Sequence, residues 1–200
     1  MIRFLYLISP SKINNKFYKN LKEVLSTKKV KYFQLRLKHY PHLKVLSIGK
    51  KIKKITKKYG VKLIINDSAV LAKKINADGC HLGQSDGSIK VAKKLLGKKK
   101  IIGITCHGSK KLILNAVKEK TNYIALGSFF KSKLKPDAKR VQKNLVKWTK
   151  KRTNLPIIAI GGINNKNFKS LMKLGVNYLA LSSYIWNNPR LKPYKAIKKF

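Results

Sequence analysis

The sequence predicts an α/β fold, a (β/α)8 barrel of the TIM type, in one domain spanning residues 1–200. Two observations carry that expectation. Short runs rich in β-branched and aromatic residues alternate with longer runs whose apolar residues recur at i, i+3, i+4 and i+7, the helical period. Eight strand-like runs occur, with helical patterns between them, a closing helix after the last, and no linker-like shift in composition. An open doubly wound sheet is the alternative, but the near-regular alternation and the closing helix favour the barrel.

The first strand is "RFLYLI", residues 3–8, followed by the helical "NKFYKNLKEVLS" with Phe17, Leu21, Val24 and Leu25 on one face. "YFQLRL" is the second strand. "HLKVLSIGKKIKKI" follows it, carrying Val45, Ile48, Ile52 and Ile55 on its apolar face. "KLIIN" and "GCHL" are the third and fourth strands, trailed by the shorter helices "SAVLAKKI" and "SIKVAKKLL". "IIGIT" leads to "KKLILNAVKE", "YIALG" to "NLVKWTKK", and "PIIAI" to "NFKSLMKLG". "YLALS" is the eighth strand, and "PYKAIKKF" closes the chain.

The composition narrows the function. Formal net charge is +42, with only six acidic residues. Such a balance suits an anionic partner. Yet only Arg3, Arg36, Arg140, Arg152 and Arg190 are arginine, the residue favoured for bidentate phosphate and base contacts. The lysines are spread from end to end and punctuate helical patterns, as on a solvated helix face. No dedicated nucleic-acid partner is therefore expected, only loose binding to polyanions at low salt. No apolar run reaches the ~20 residues of a membrane helix, and the start "MIRFLYLISPSK" lacks the small-residue cleavage site of a signal peptide. A cytoplasmic protein with no membrane partner is expected. Cys80 and Cys106 each precede a histidine, but adjacent strand residues point to opposite faces, so each pair offers at most one ligand to a shared metal. They are expected to be small buried core residues.

In such barrels the chemistry sits where the strands end. After the second strand, Gln34, Arg36 and Lys38 share one face, because side chains alternate. Two cations and an amide there suggest an anion site. Asn66 and Asp67 end the third strand, and Asp86 follows the fourth. Neighbouring strands lie about 4.8 Å apart, so Asp67 and Asp86 can reach one ion. Oxygen donors of this kind suit Mg2+ bridged to a substrate phosphate. The alternative for both is helix capping. Asp78, in the turn before the fourth strand, belongs to the opposite end and reads as a turn residue. Thr105 and His107 follow the fifth strand, Ser132 and Lys135 the sixth, the paired glycines of "IGGIN" the seventh, and Ser182 and Ser183 the eighth. The last two positions are the usual phosphate site of such barrels. The cluster describes two anion sites, one metal-assisted, and no nucleophile.

The motifs "QLRLK", "IIND", "ADGCHLGQSD", "IIGITCH", "GSFF", "AIGGIN" and "LSSYIW" occur in this order over nearly the whole chain. With them the sequence resembles the thiamine phosphate synthase family. The resemblance implies a transferase that joins 4-amino-2-methyl-5-hydroxymethylpyrimidine diphosphate to a thiazole phosphate, in plain or carboxylated form, giving thiamine phosphate and pyrophosphate. It implies Asp67 and Asp86 as Mg2+ ligands, and Arg36, Lys38, Asn66 and Lys135 on the diphosphate. Gln34 would face the aminopyrimidine. Thr105 would stand near the reacting groups, with Arg36, Lys38 and Lys135 as the other catalytic residues. Ser132 keeps one hydroxyl of a loop that is usually threonine-rich. Gly162, Ser182 and Ser183 would hold the thiazole phosphate.

Two regions depart from the family pattern. Ser68 replaces an arginine in "NDS", and the loop after the sixth strand reads "KSKLK", where Leu134 lacks a hydroxyl. A thiazole tautomerase on the same barrel is the nearest rival, but it would use a histidine where this chain has Ser128 and Phe129. A basic, non-catalytic nucleic-acid-binding barrel is the rival from another class. The partners implied are small phosphorylated molecules, and a homo-oligomer is compatible with the sequence.

Overall fold

A computed structural model describes residues 3–131 and 138–200. The chain runs β1 (Leu5–Ile8), α1 (Asn15–Ser26), β2 (Val30–Leu35), α2 (His42–Lys58), β3 (Lys62–Asn66), α3 (Ala69–Ile75), β4 (Gly79–Leu82) and α4 (Ile89–Leu96). It continues with β5 (Ile101–His107), α5 (Lys110–Lys118), β6 (Tyr123–Leu126), α6 (Asn144–Lys150), β7 (Ile157–Ile160), α7 (Phe168–Lys173), β8 (Tyr178–Leu181), α8 (Ser183–Trp186) and α9 (Pro193–Lys198). The eight strands are all parallel and close into a barrel, β1 pairing with both β2 and β8. The predicted barrel is therefore present, and closure leaves no open sheet edge.

Alternation along each strand divides the core in two. Leu5 and Leu7 face the helices and join the large outer core, whereas Tyr6 and Ile8 face the barrel axis. Cys80 and Cys106 belong to the outer core, where burial pushes both thiols up to about 12. They are the buried core residues expected. The helices seat on this outer layer with the faces read from the sequence. Phe17, Leu21, Val24 and Leu25 of α1 are buried, and so are Val45, Ile48 and Ile52 of α2. Side chains set several helix starts: Asn14, Ser68, Ser88 and Ser109 each accept from a backbone N–H in the first turn.

The barrel interior differs from the apolar filling usual for this fold. Tyr6, Tyr32, Tyr123 and Tyr178 form a floor of touching rings, with centroids 5.1–5.9 Å apart. Gly103 makes room for it. A Cβ there would fall 1.9 Å from the Tyr123 ring. At the same end, Asp78 accepts from Lys53 Nζ at 2.5 Å and from the Leu63 N–H at 2.8 Å, with Lys62 Nζ 3.5 Å away. Asp78 thus ties β3 to α2 and is the structural residue expected. No helix among the described residues is long and apolar enough to cross a membrane.

Candidate active site

The mouth of the barrel is built from the carboxyl ends of the strands. β2 ends at Leu35, so Arg36 and Lys38 stand just beyond it, and the alternation continues: Leu37 turns into the outer core while Arg36 is half-buried and Lys38 exposed. Lys38 Nζ lies 3.6 Å from Asp67 Oδ2. Asp67 follows β3 with φ +62°, a left-handed backbone that non-glycine residues seldom adopt. Its N–H donates to the His81 carbonyl at 2.8 Å, which fixes the bend against β4. Strain of this kind concentrates where a side chain must be aimed.

Asp86 reaches back from the loop after β4. Its Oδ2 accepts from the Gly83 N–H at 2.7 Å. The Asp86 carboxylate lies near enough to Asp67 to act on its charge. Burial raises the Asp67 carboxyl first, and the hydrogen bond and charge of Asp86 raise it further, while Lys38 and Arg36 pull it down; the net direction is up. Neither aspartate caps a helix. Ser68 and Ser88, the serines that follow them, do that work, so capping does not explain the carboxylates. Ser68, which stands where the resemblance leads one to expect arginine, has this local role instead.

Below the mouth lies a small cavity of about 20 Å3, lined by Tyr6, Gln34, His81 and Tyr123 with small Ala125 and Ala180. Gln34 is buried on β2 and lines this space. His81 was not singled out as a site residue, yet it is central. Its Nδ1 lies 2.9 Å from the Tyr123 hydroxyl and its Nε2 2.7 Å from Thr105 Oγ1. The Tyr123 hydroxyl in turn lies 2.8 Å from that of Tyr6. Burial lowers His81 to about 4; Asp86 opposes this and Arg36 adds to it, so the ring is neutral near pH 7. Gln84 donates from its side chain to the Thr105 carbonyl at 2.6 Å. Strand alternation was the available signal: once Cys80 faces the helices, His81 must face the axis.

On the opposite side of the mouth, Gly161 and Gly162 have φ of +104° and +61°. A Cβ on Gly162 would fall 2.3 Å from the Lys131 carbonyl oxygen, so the loops after β6 and β7 meet only because glycine is there. Ser182 donates from Oγ to the Ser9 carbonyl at 3.2 Å, and Ser183 opens α8. Ser9, another residue not singled out, is buried and accepts from the Arg36 N–H at 3.0 Å. It joins the β2 side of the mouth to the β8 side. The candidates Gln34, Arg36, Lys38, Asn66, Asp67, Asp86, Thr105, Gly162, Ser182 and Ser183 all fall at or just inside this one mouth. Ser132 and Lys135 lie outside the described residues.

Residues 5–185 match the family described as thiamine monophosphate synthase. The chain belongs to that family. The thiamine-phosphate synthase of Pelagibacter ubique is 52% identical over 98% of this chain and 95% of its own length. That of Erythrobacter litoralis is 37% identical over 92% and 88%. The thiamine phosphate pyrophosphorylase from Pyrococcus furiosus superimposes with a TM-score of 0.86 at 27% identity, covering 98% of this chain and 93% of the other. The chain is thus an enzyme, a transferase of the thiamine monophosphate synthase family, as the sequence motifs led one to expect. Within that family fold, the tyrosine floor and the His81 contacts are what the motifs alone did not reveal.

Proposed function

We propose that this enzyme couples 4-amino-2-methyl-5-hydroxymethylpyrimidine diphosphate with a thiazole phosphate, plain or carboxylated, to give thiamine phosphate and pyrophosphate, with Mg2+ as its metal. The observation that carries the reading is the pair Asp67 and Asp86, crowded together beside Lys38 and Arg36 at the mouth of the cavity. A carboxyl whose charge is disfavoured by burial and by a neighbouring carboxylate suits a divalent cation. Among the described residues no third His, Cys, Asp or Glu completes a protein cage. That suits Mg2+, which commonly takes one or two carboxylates and completes its shell with substrate phosphate and water. When bound there, the ion would offset the charge that develops on the diphosphate.

The chain's own residues divide the remaining work. Gln34 offers an amide to the aminopyrimidine in the cavity. Arg36, Lys38 and Asn66, with Lys135 and Ser132 from the loop after β6, hold the diphosphate. The bond from the pyrimidine methylene carbon to the diphosphate oxygen breaks, and the electron pair leaves with pyrophosphate. Arg36 and Lys38 stabilise that departing charge. The aminopyrimidine supports the cation left behind, and the thiazole nitrogen supplies the pair for the new carbon–nitrogen bond. Thr105 stands near the reacting groups. Gly162, with Ser182 and Ser183, takes the thiazole phosphate. No protein nucleophile is needed. The lysine-rich surface favours the approach of two anionic substrates, and a cytoplasmic setting suits such phosphorylated molecules.

The test is a coupling assay with purified protein, both substrates and Mg2+, in which thiamine phosphate is oxidised to a fluorescent product. Product that requires Mg2+ and is lost in Asp67→Ala and Asp86→Ala supports the reading. Isomerised thiazole phosphate without coupling would instead favour the tautomerase.

A further inference from the structure

The hydrogen-bonded chain inside the barrel ends at Thr105, a hydroxyl that the proposed reaction brings against its substrates. We infer that Tyr6, Tyr123 and His81 form a one-way donor chain that leaves the Thr105 hydrogen free to point into the mouth, for donation to an oxygen of the leaving diphosphate. The inference rests on the functional reading above and adds three positioning residues to it.

The reasoning starts from proton count. The His81 ring is buried with a hydroxyl at each nitrogen and, among the described residues, no carboxylate bonded to it, a setting that suits a ring with a single N–H, whose two nitrogens then play opposite roles. The polarity of the whole chain is then decided at once. In one arrangement Tyr6 donates to Tyr123, Tyr123 donates to Nδ1, and Nε2–H donates to Thr105 Oγ1. Thr105 keeps its own hydrogen. In the reverse arrangement that hydrogen is used on His81, and Thr105 turns only lone pairs to the mouth. Lone pairs facing a diphosphate are the wrong match, because an anionic oxygen calls for donors. Gln34 and Tyr6 line one cavity, and because an amide both donates and accepts, the far end is satisfied in either arrangement. Gln84 holds the Thr105 carbonyl at 2.6 Å, so the backbone is fixed while the chain orients the hydroxyl.

The variant Tyr123→Phe isolates the idea. It keeps the ring that stacks on His81, 11° from parallel, and that fills the space at Gly103, and it removes only the hydroxyl. Thr105→Val removes the other hydroxyl at similar shape. Coupling kinetics are measured for wild type, both single variants and the double variant. Tyr123→Phe is expected to lower kcat about tenfold, the scale of one hydrogen bond, with KM for the thiazole phosphate changed by less than about twofold. The double variant is expected to be no slower than Thr105→Val alone, because the Tyr123 hydroxyl acts only through Thr105. A wild-type kcat in Tyr123→Phe, or additive losses in the double variant, would overturn the inference. Nitrogen-15 spectra of labelled histidine provide a readout that needs no turnover. His81 is expected as the Nε2–H tautomer in wild type and as a mixture in Tyr123→Phe. An Nδ1–H tautomer in wild type would overturn the polarity. An inactive wild type would overturn the functional reading and the use given to the Thr105 hydrogen, whereas an active one with additive losses overturns this inference alone.

Discussion

Aspartates at the two ends of the barrel meet opposite fates. At the closed end, burial disfavours the Asp78 charge, but hydrogen bonds from Lys53 and the Leu63 N–H, with the charges of Lys53 and Lys62, outweigh it, and the carboxyl is held below its usual range. At the open end, Asp67 has Lys38 at 3.6 Å but also Asp86 against it, and its carboxyl is pushed up. One residue type is satisfied at one end and left crowded at the other. In a chain with 48 basic residues, cations to relieve that crowding are not scarce. The difference teaches that ion pairing stabilises the closed end, while at the mouth the Asp67 carboxyl stays above its usual range beside a second carboxylate despite the nearby cations.

Neutralising each end tests this contrast. The largest effect is expected at the mouth. Asp67→Asn or Asp86→Asn should lower the coupling rate by about 10²-fold or more, as losses of charge-stabilising groups do. In chelator, Asp67→Asn should melt no lower than wild type and higher at neutral pH. The sign follows from linkage: a carboxyl raised in the folded state opposes folding when ionised, so the advantage of Asn shrinks as pH falls through the raised value. A drop in melting temperature for Asp67→Asn would mean that the mouth aspartates are structural after all.

Gly162→Ala comes next. With φ +61° and a Cβ 2.3 Å from the Lys131 carbonyl, it should cost about 2–3 kcal/mol in urea unfolding, from strain and overlap. KM for the thiazole phosphate should rise as well. Asp78→Asn should do the reverse of Asp67→Asn, losing about 1–2 kcal/mol of stability at pH 7 with little change in rate. Because the folded carboxyl is lowered, its contribution is present above the unfolded range near ~3.9 and is lost as pH falls through the folded value. The two stability curves should therefore converge in acid. Ser68→Ala sharpens the comparison with the smallest change, about 1 kcal/mol from a lost cap. That loss, without a change in Mg2+ dependence, would separate the cap from the carboxylate beside it.

The layout of the barrel was legible because periodicity is a strong signal. The segment 15–26 was read as a helix and is one, and "GCHL" is the fourth strand as read. α8 was not legible, since four residues cannot display a helical period. β2 begins earlier than expected, at Val30, and stops before Arg36. The mouth candidates followed from one rule about strand ends, and those among the described residues lie there. Ser9, His81 and Tyr123 were missed for a different reason. Their side chains bond to residues on or just after other strands, 24 or more positions away in the chain, and no local pattern encodes such partners. The tyrosine floor escaped notice because tyrosine in a strand reads as a β-former, and its hydroxyl carries no periodic signature.

That floor has a consequence for traffic. A shaft closed at the bottom by four rings has a single door, used for both arrival and departure. On the proposed reading, the pyrimidine at Gln34, inside the barrel, sits deeper than the thiazole phosphate at Gly162 on the mouth. The deeper guest must then enter first, and the joined product must clear the doorway before the next cycle begins. On that reading, turnover would be a matter of queueing, set by depth as much as by affinity.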